Sequence, residues 1–106
     1  MNLTQPQFLF SPGQVLCTQG AKNQLENLAG DNANWQDLAA TLISRHLSGD
    51  WSELCYEDQE QNRLALEQGT RLMSTYALRE SIPDRKIWII TEADRSATTL
   101  LMPEEY

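Results

Sequence analysis

Basic residues are scarce in this 106-residue chain: eight Lys and Arg stand against fifteen Asp and Glu, giving a net charge of −7. Nucleic-acid backbones are gripped by clustered cations that displace counterions. Here Lys22 is the only lysine before residue 86, and the arginines are scattered. Arg79, Arg85 and Lys86 form the single candidate basic spot, so direct binding to a nucleic-acid backbone is not expected. Cysteine is equally sparse. Cys17 and Cys55 stand alone, without a Cys-x-x-Cys pair or a nearby histidine, which excludes a disulfide scaffold and a zinc site. Both are expected in the core as small hydrophobes. No apolar run approaches the roughly 20 residues that span a bilayer, and the first residues lack a charged leader ahead of an apolar one. A cytoplasmic protein with no membrane contact is expected. P-loop, Gly-x-Gly-x-x-Gly, Gly-x-Ser-x-Gly and His-Glu-x-x-His patterns are all missing, which argues against nucleotide-dependent and common hydrolytic enzymes. No cofactor and no metal are expected. The acidic run Glu57, Asp58, Glu60 lacks a calcium-loop spacing and reads as a solvated helix face.

What is present suits one small folded unit. The hydrophobic fraction of 41% is ordinary for a globular chain and argues against disorder. Residues 1–13 read as an N-terminal arm, free to move, containing the apolar patch Phe8-Leu9-Phe10 and a Pro12-Gly13 turn. Residues 14–106 read as a single α+β domain. Residues 14–17 suit a short edge strand. Thr18 can cap a first helix reaching about residue 28, with Ala21, Leu25 and Leu28 on one side. Asn34 caps a second, whose stripe Trp35, Leu38, Ala39, Leu42, Ile43, His46 follows the helical template before Ser48-Gly49 stops it. Asp50 with Glu53 resembles a capping box ahead of a third helix that runs from about Ser52 or Cys55 to Gln68, with Gly69 just past its end. That helix is polar in its middle, so only its ends are expected to dock.

From Thr70 the period changes to alternation. Leu72, Ser74, Tyr76 and Leu78 face one way, and Arg71, Met73, Thr75 and Ala77 the other. Residues 86–92, with Ile87-Trp88-Ile89-Ile90-Thr91, form a central strand that is apolar on both faces. Residues 96–102 form the last strand, ended by Pro103. The expected architecture is two to three N-terminal helices packed on a C-terminal antiparallel sheet of three to four strands.

Arg45-His46 followed by Gly49-Asp50-Trp51, the Gly69 junction, and the run from Ile87 through Glu92-Ala93-Asp94-Arg95-Ser96 and Thr98-Thr99 to Pro103-Glu104-Glu105-Tyr106 carry a resemblance. Over residues 14–106 the chain resembles a family of small uncharacterised bacterial proteins encoded on plasmids and integrative elements. It departs from that pattern in its first dozen residues and in a longer loop at 79–85. The resemblance implies a bacterial, mobile-element setting. It supplies no catalytic residue to carry over.

The chemistry-bearing candidates are few. His46 is the only histidine, and so the only side chain that titrates near neutrality unperturbed. It could act as a general acid or base with Asp50 orienting it. Its place on the apolar stripe of the second helix instead suggests a buried imidazole bonded to a carbonyl or carboxylate. Trp51 reads as an anchor beneath the sheet, or else as a ligand-stacking surface. Asp94, Arg95, Thr98 and Thr99 make the densest polar cluster; the plain reading is a hairpin turn capped by Asp94 with Arg95 paired to Glu92.

The leading expectation is a non-catalytic protein-binding module that could inhibit a host defence enzyme and could dimerise through its sheet. A small metal-independent ribonuclease-like enzyme using His46, Tyr76, Arg95 and Thr98 is the alternative. A small-molecule-sensing domain is a third possibility.

Overall fold

The computed structural model describes residues 8–78 and 85–106. Four strands lie in the order β1-β4-β3-β2. They are β1 (Gln14–Cys17), β2 (Leu72–Ala77), β3 (Lys86–Thr91) and β4 (Ala97–Leu101). Three helices, α1 (Gln19–Ala29), α2 (Trp35–Leu47) and α3 (Tyr56–Gln68), lie between β1 and β2 in the chain. The architecture is α+β, with an antiparallel meander β2-β3-β4 at the C-terminal end. One feature of the expected sheet is corrected. β1 joins β4 in parallel, with Gln14 opposite Ala97 and Cys17 opposite Leu100, so the sheet is mixed. Strand direction leaves no trace in four residues. It is set by α1, which leaves β1 and packs back over the sheet.

The helix starts and stops follow from local chemistry. Thr18 accepts from the Ala21 N–H, and Asn34 accepts from the Gln36 N–H. Gly69 closes α3 in the left-handed region at φ 70°. The core lies between the α1/α2 pair and one sheet face, where Ala21, Leu25 and Ala39 meet Tyr76, Ile87, Ile89, Leu100 and Met102. The alternation read in β2 sets this side: Leu72, Ser74 and Tyr76 are fully buried.

α3 breaks with expectation in two ways. It begins at Tyr56 behind Cys55, which makes no side-chain cap, rather than through a box made by Asp50 and Glu53. It also docks by its polar middle. Asn62 is buried and pairs with both backbone groups of Met73, donating to its carbonyl at 2.7 Å and accepting from its N–H at 3.1 Å. The Glu53 carboxylate accepts the Ala77 N–H at 2.7 Å. Met73 and Ala77 face outward from the ladder, so these two side chains close the free edge of β2. Nor do the cysteines sit in the core: Cys55 is exposed and Cys17 only half-buried.

The two ends of the described chain are tied to each other's neighbourhoods. Gly13 adopts φ 61°, and a Cβ there would lie 2.4 Å from the carbonyl oxygens of Arg95 and Ser96. Only glycine fits so close an approach in that conformation. At the other end, the Glu105 carboxylate accepts from the Thr18 hydroxyl, the Gly20 N–H and the Met102 N–H. A C-terminal side chain thereby serves the positive N-terminus of α1. These bonds, that from Thr18 foremost, hold the Glu105 carboxyl below its ordinary range.

Candidate functional site

The stripe of α2 carries His46 into the sheet, where its ring is 0% exposed. Nδ1 lies 2.5 Å from the Ser74 hydroxyl and Nε2 lies 2.9 Å from the Thr91 hydroxyl. Thr91 is in turn 2.7 Å from the Thr98 hydroxyl, and Thr98 donates to the Pro12 carbonyl at 2.7 Å. The proton positions follow from the far end. Thr98 spends its proton on Pro12, so Thr91 must donate to Thr98. Nε2–H then donates to Thr91, leaving Nδ1 to accept from Ser74. This neutral tautomer satisfies every member. Burial, which disfavours the charged form, pushes the imidazole pKa down to about 4. Phe10 packs edge-on against it at 5.2 Å.

The expected partnership of His46 with Asp50 does not form. Asp50 lies 2.6 Å from Nε of Arg45, and that hydrogen bond foremost keeps its carboxyl below the usual range. Arg45 also reaches Glu53 at 3.2 Å and sits over the Tyr76 ring at 4.3 Å. The Tyr76 phenol donates to the Asp50 carbonyl, and burial pushes its pKa up to about 12. A phenol so placed holds its proton through the neutral range.

Arg95 occupies the left-handed region at φ 61° in the β3–β4 turn. Its guanidinium does not pair with the Glu92 carboxylate. It donates instead to four carbonyls, those of Thr70 (2.6 Å), Ala93 (3.1 Å), Glu92 (3.2 Å) and Ala65 (3.2 Å). It thus closes the C-terminal end of α3, where a cation is favoured. Phe10 bridges the two groups, edge-on to the imidazole and with the Arg95 cation 5.7 Å from its ring centre. Asp94 accepts from the Ser96 N–H as a hairpin cap. Thr98 turns to the helices and is buried, whereas its neighbour Thr99 turns to the other face, so the polar cluster read along the sequence is divided by the sheet.

Trp51 is half-buried, with Nε1–H meeting no acceptor among the described residues. Arg85 pairs with Glu104, and Arg79, the other arginine of the candidate basic spot, lies outside the described residues. A cavity of about 230 Å³ between α1, α2 and the end of β2 is lined by Leu25, Leu28, Leu38, Leu42 and Arg45. That is smaller than the roughly 300–1,000 Å³ usual for small-molecule sites. Among the described residues, no group of three His, Cys, Asp or Glu could hold a metal, and no helix is long and apolar enough to cross a membrane.

The feature that sequence reasoning left undeveloped is the edge of β1. Gln14 N–H donates to the Ser96 carbonyl and Thr18 N–H to the Leu100 carbonyl, so even-numbered residues face β4. Val15 and Cys17 therefore turn their backbone groups outward, where no described residue bonds them. Val15 and Leu16 are 48% and 42% exposed. Beside the strand runs a groove of about 450 Å³ toward α2, lined by Val15, Cys17, Trp35, Ala40, Ile43 and Leu47 among others, with no charged residue in its wall. Phe8-Leu9-Phe10 divides here: Phe8 is exposed at the groove, Leu9 covers Gly49, and Phe10 turns inward to His46. Comparison with family models, curated proteins and solved structures finds no match.

Proposed function

We propose that the chain is a non-catalytic protein-binding module whose contact surface is the open edge of β1 with the uncharged groove beside α2. One observation carries this reading. Each candidate reactive group is committed inward, whereas the β1 edge leaves outward backbone groups and apolar side chains without a partner among the described residues. General acid–base chemistry needs a group that can reach the proton it moves. A strand edge beside an apolar groove is what an extended polypeptide recognises, its backbone bonding the edge and its side chains filling the groove. The C-terminal resemblance supplies the setting, a bacterial mobile element. There, binding of a polypeptide at this edge, and not chemistry, is the form of action we favour.

Two measurements test the reading. A photo-reactive side chain placed at Val15 should yield discrete adducts in bacterial lysate, and the same group at Glu57 on α3 should not. Adducts from Glu57 alone would move the contact to the acidic helix. Incubation with a labelled RNA panel between pH 5 and 8 should give no cleavage above buffer. Cleavage abolished by both His46→Gln and Arg95→Lys would restore the ribonuclease alternative.

A further inference from the structure

We infer that the polypeptide seated on the β1 edge is a second copy of this chain, added antiparallel about a two-fold axis through Leu16. This rests on the surface assigned above and goes beyond it by naming the occupant.

Backbone geometry sets the register. In an antiparallel pair, residues that face each other with outward groups exchange two hydrogen bonds. Val15 and Cys17 carry the outward groups, and Leu16 between them does not. Two copies centred on Leu16 place Val15 of one opposite Cys17 of the other on both sides of the axis. Four backbone hydrogen bonds form, and the two sheets become one of eight strands. No residue of β1 must leave its partner on β4.

Charge selects a second copy as the occupant. A two-fold contact sets each residue near its own image, so a charged wall would repel itself. The groove wall is uncharged although the chain carries −7. The acidic residues Glu57 and Asp58 lie on α3, which runs along β2 at the far side of the sheet. With strands about 4.8 Å apart, the two β2 strands of such a dimer stand about 34 Å from each other. That exceeds the Debye length of about 8 Å at physiological salt several times over. The edge on the acidic side is closed by Asn62 and Glu53, and the uncharged edge is left open. Along α2, the accessible residues Gln36, Ala40 and Ile43 recur at intervals of four and three, the spacing of a helix-pairing seam. Ala40, small and exposed in that seam, would let the two α2 helices approach over the joined strands.

The register makes a sharp test possible. A non-hydrogen-bonded antiparallel pair has Cα atoms about 4.5 Å apart, within the range a disulfide spans. In the full chain carrying Cys17→Ser and Cys55→Ser, Leu16→Cys should cross-link to a covalent dimer under mild oxidation, and a cysteine at Glu57 should not. Light scattering across a concentration series should give twice the chain mass. Val15→Lys, at an exposed position, should return it to a monomer with an unchanged circular dichroism spectrum. A chain that stays monomeric into the hundreds of micromolar range overturns the proposal, as does a dimer indifferent to both Val15→Lys and Leu16→Cys. A monomer whose Val15 amide exchanges slowly until residues 1–7 are removed would give the edge to the chain's own N-terminal segment, and also overturns it. A monomer that still forms adducts through position 15 in lysate would defeat the homodimer and leave the binding surface in place. Absence of both would remove the two together.

Discussion

His46 is buried neutral among three hydroxyls and a phenyl ring, and that fixes the sign of its response to acid. Its folded pKa of about 4 lies below the ordinary 6.5, so the unfolded chain binds more protons between those values. Its contribution is intact above pH 6.5 and is lost as pH falls toward 4. The gap corresponds to about 3 kcal/mol. Urea unfolding at pH 7, 6, 5 and 4 should show this loss in the wild type and not in His46→Gln. Equal slopes for the two chains would mean that the ring is already protonated or open to water. Arg95 makes a second case at this scale. Arg95→Ala removes four carbonyl contacts and keeps a left-handed backbone that alanine does not favour. A loss of about 2 kcal/mol in thermal or urea unfolding is expected. Arg95→Gly, which relieves the backbone, should lose less. The sequence marked both residues but not their partners. His46 was legible as buried because it continues a helical stripe. Ser74, Thr91 and Thr98 lie on three different strands, and only the sheet register brings Ser74 and Thr91 to the ring and Thr98 behind Thr91.

At the scale of elements, helix boundaries were legible where a cap or a glycine states them. Thr18, Asn34 and Gly69 mark their ends within a residue or two, because those signals act between near neighbours. α3 was harder to read. Its polar middle suggests solvent on all sides, yet Asn62 uses its amide to imitate a missing strand along β2, and nothing local distinguishes that asparagine from an exposed one. Asn62→Leu should destabilise the fold by about 2 kcal/mol through two orphaned backbone groups. It should also raise concentration-dependent aggregation through the uncovered edge, as read by light scattering. Asn62→Asp keeps the acceptor and should rescue part of the loss. At α1, Glu105→Gln should cost about 1 kcal/mol in thermal unfolding, since the lost charge had served a helix N-terminus.

For the whole molecule, the sheet face buried by α1 and α2 follows from alternation in β2 and β3, which is why the core was foreseeable. The direction of β1 was not. Four residues pair equally well either way, and the choice belongs to the path of the chain around them. The same limit applies to function. Absent motifs argue against several enzyme classes, but an open strand edge becomes visible only when each backbone donor is followed to its acceptor. The parallel union of β1 with β4 also carries a consequence for how the protein is made. The first strand of the chain waits for the last before it has a neighbour. At about 5–20 residues per second, a ribosome needs roughly 4–16 seconds to add the 80 or so residues between them. Through that interval α1 and α2 have no finished floor to rest on. Assembly is therefore expected to follow synthesis of β4, and a stalled chain ending before Ala97 should be cut readily by protease in its N-terminal half.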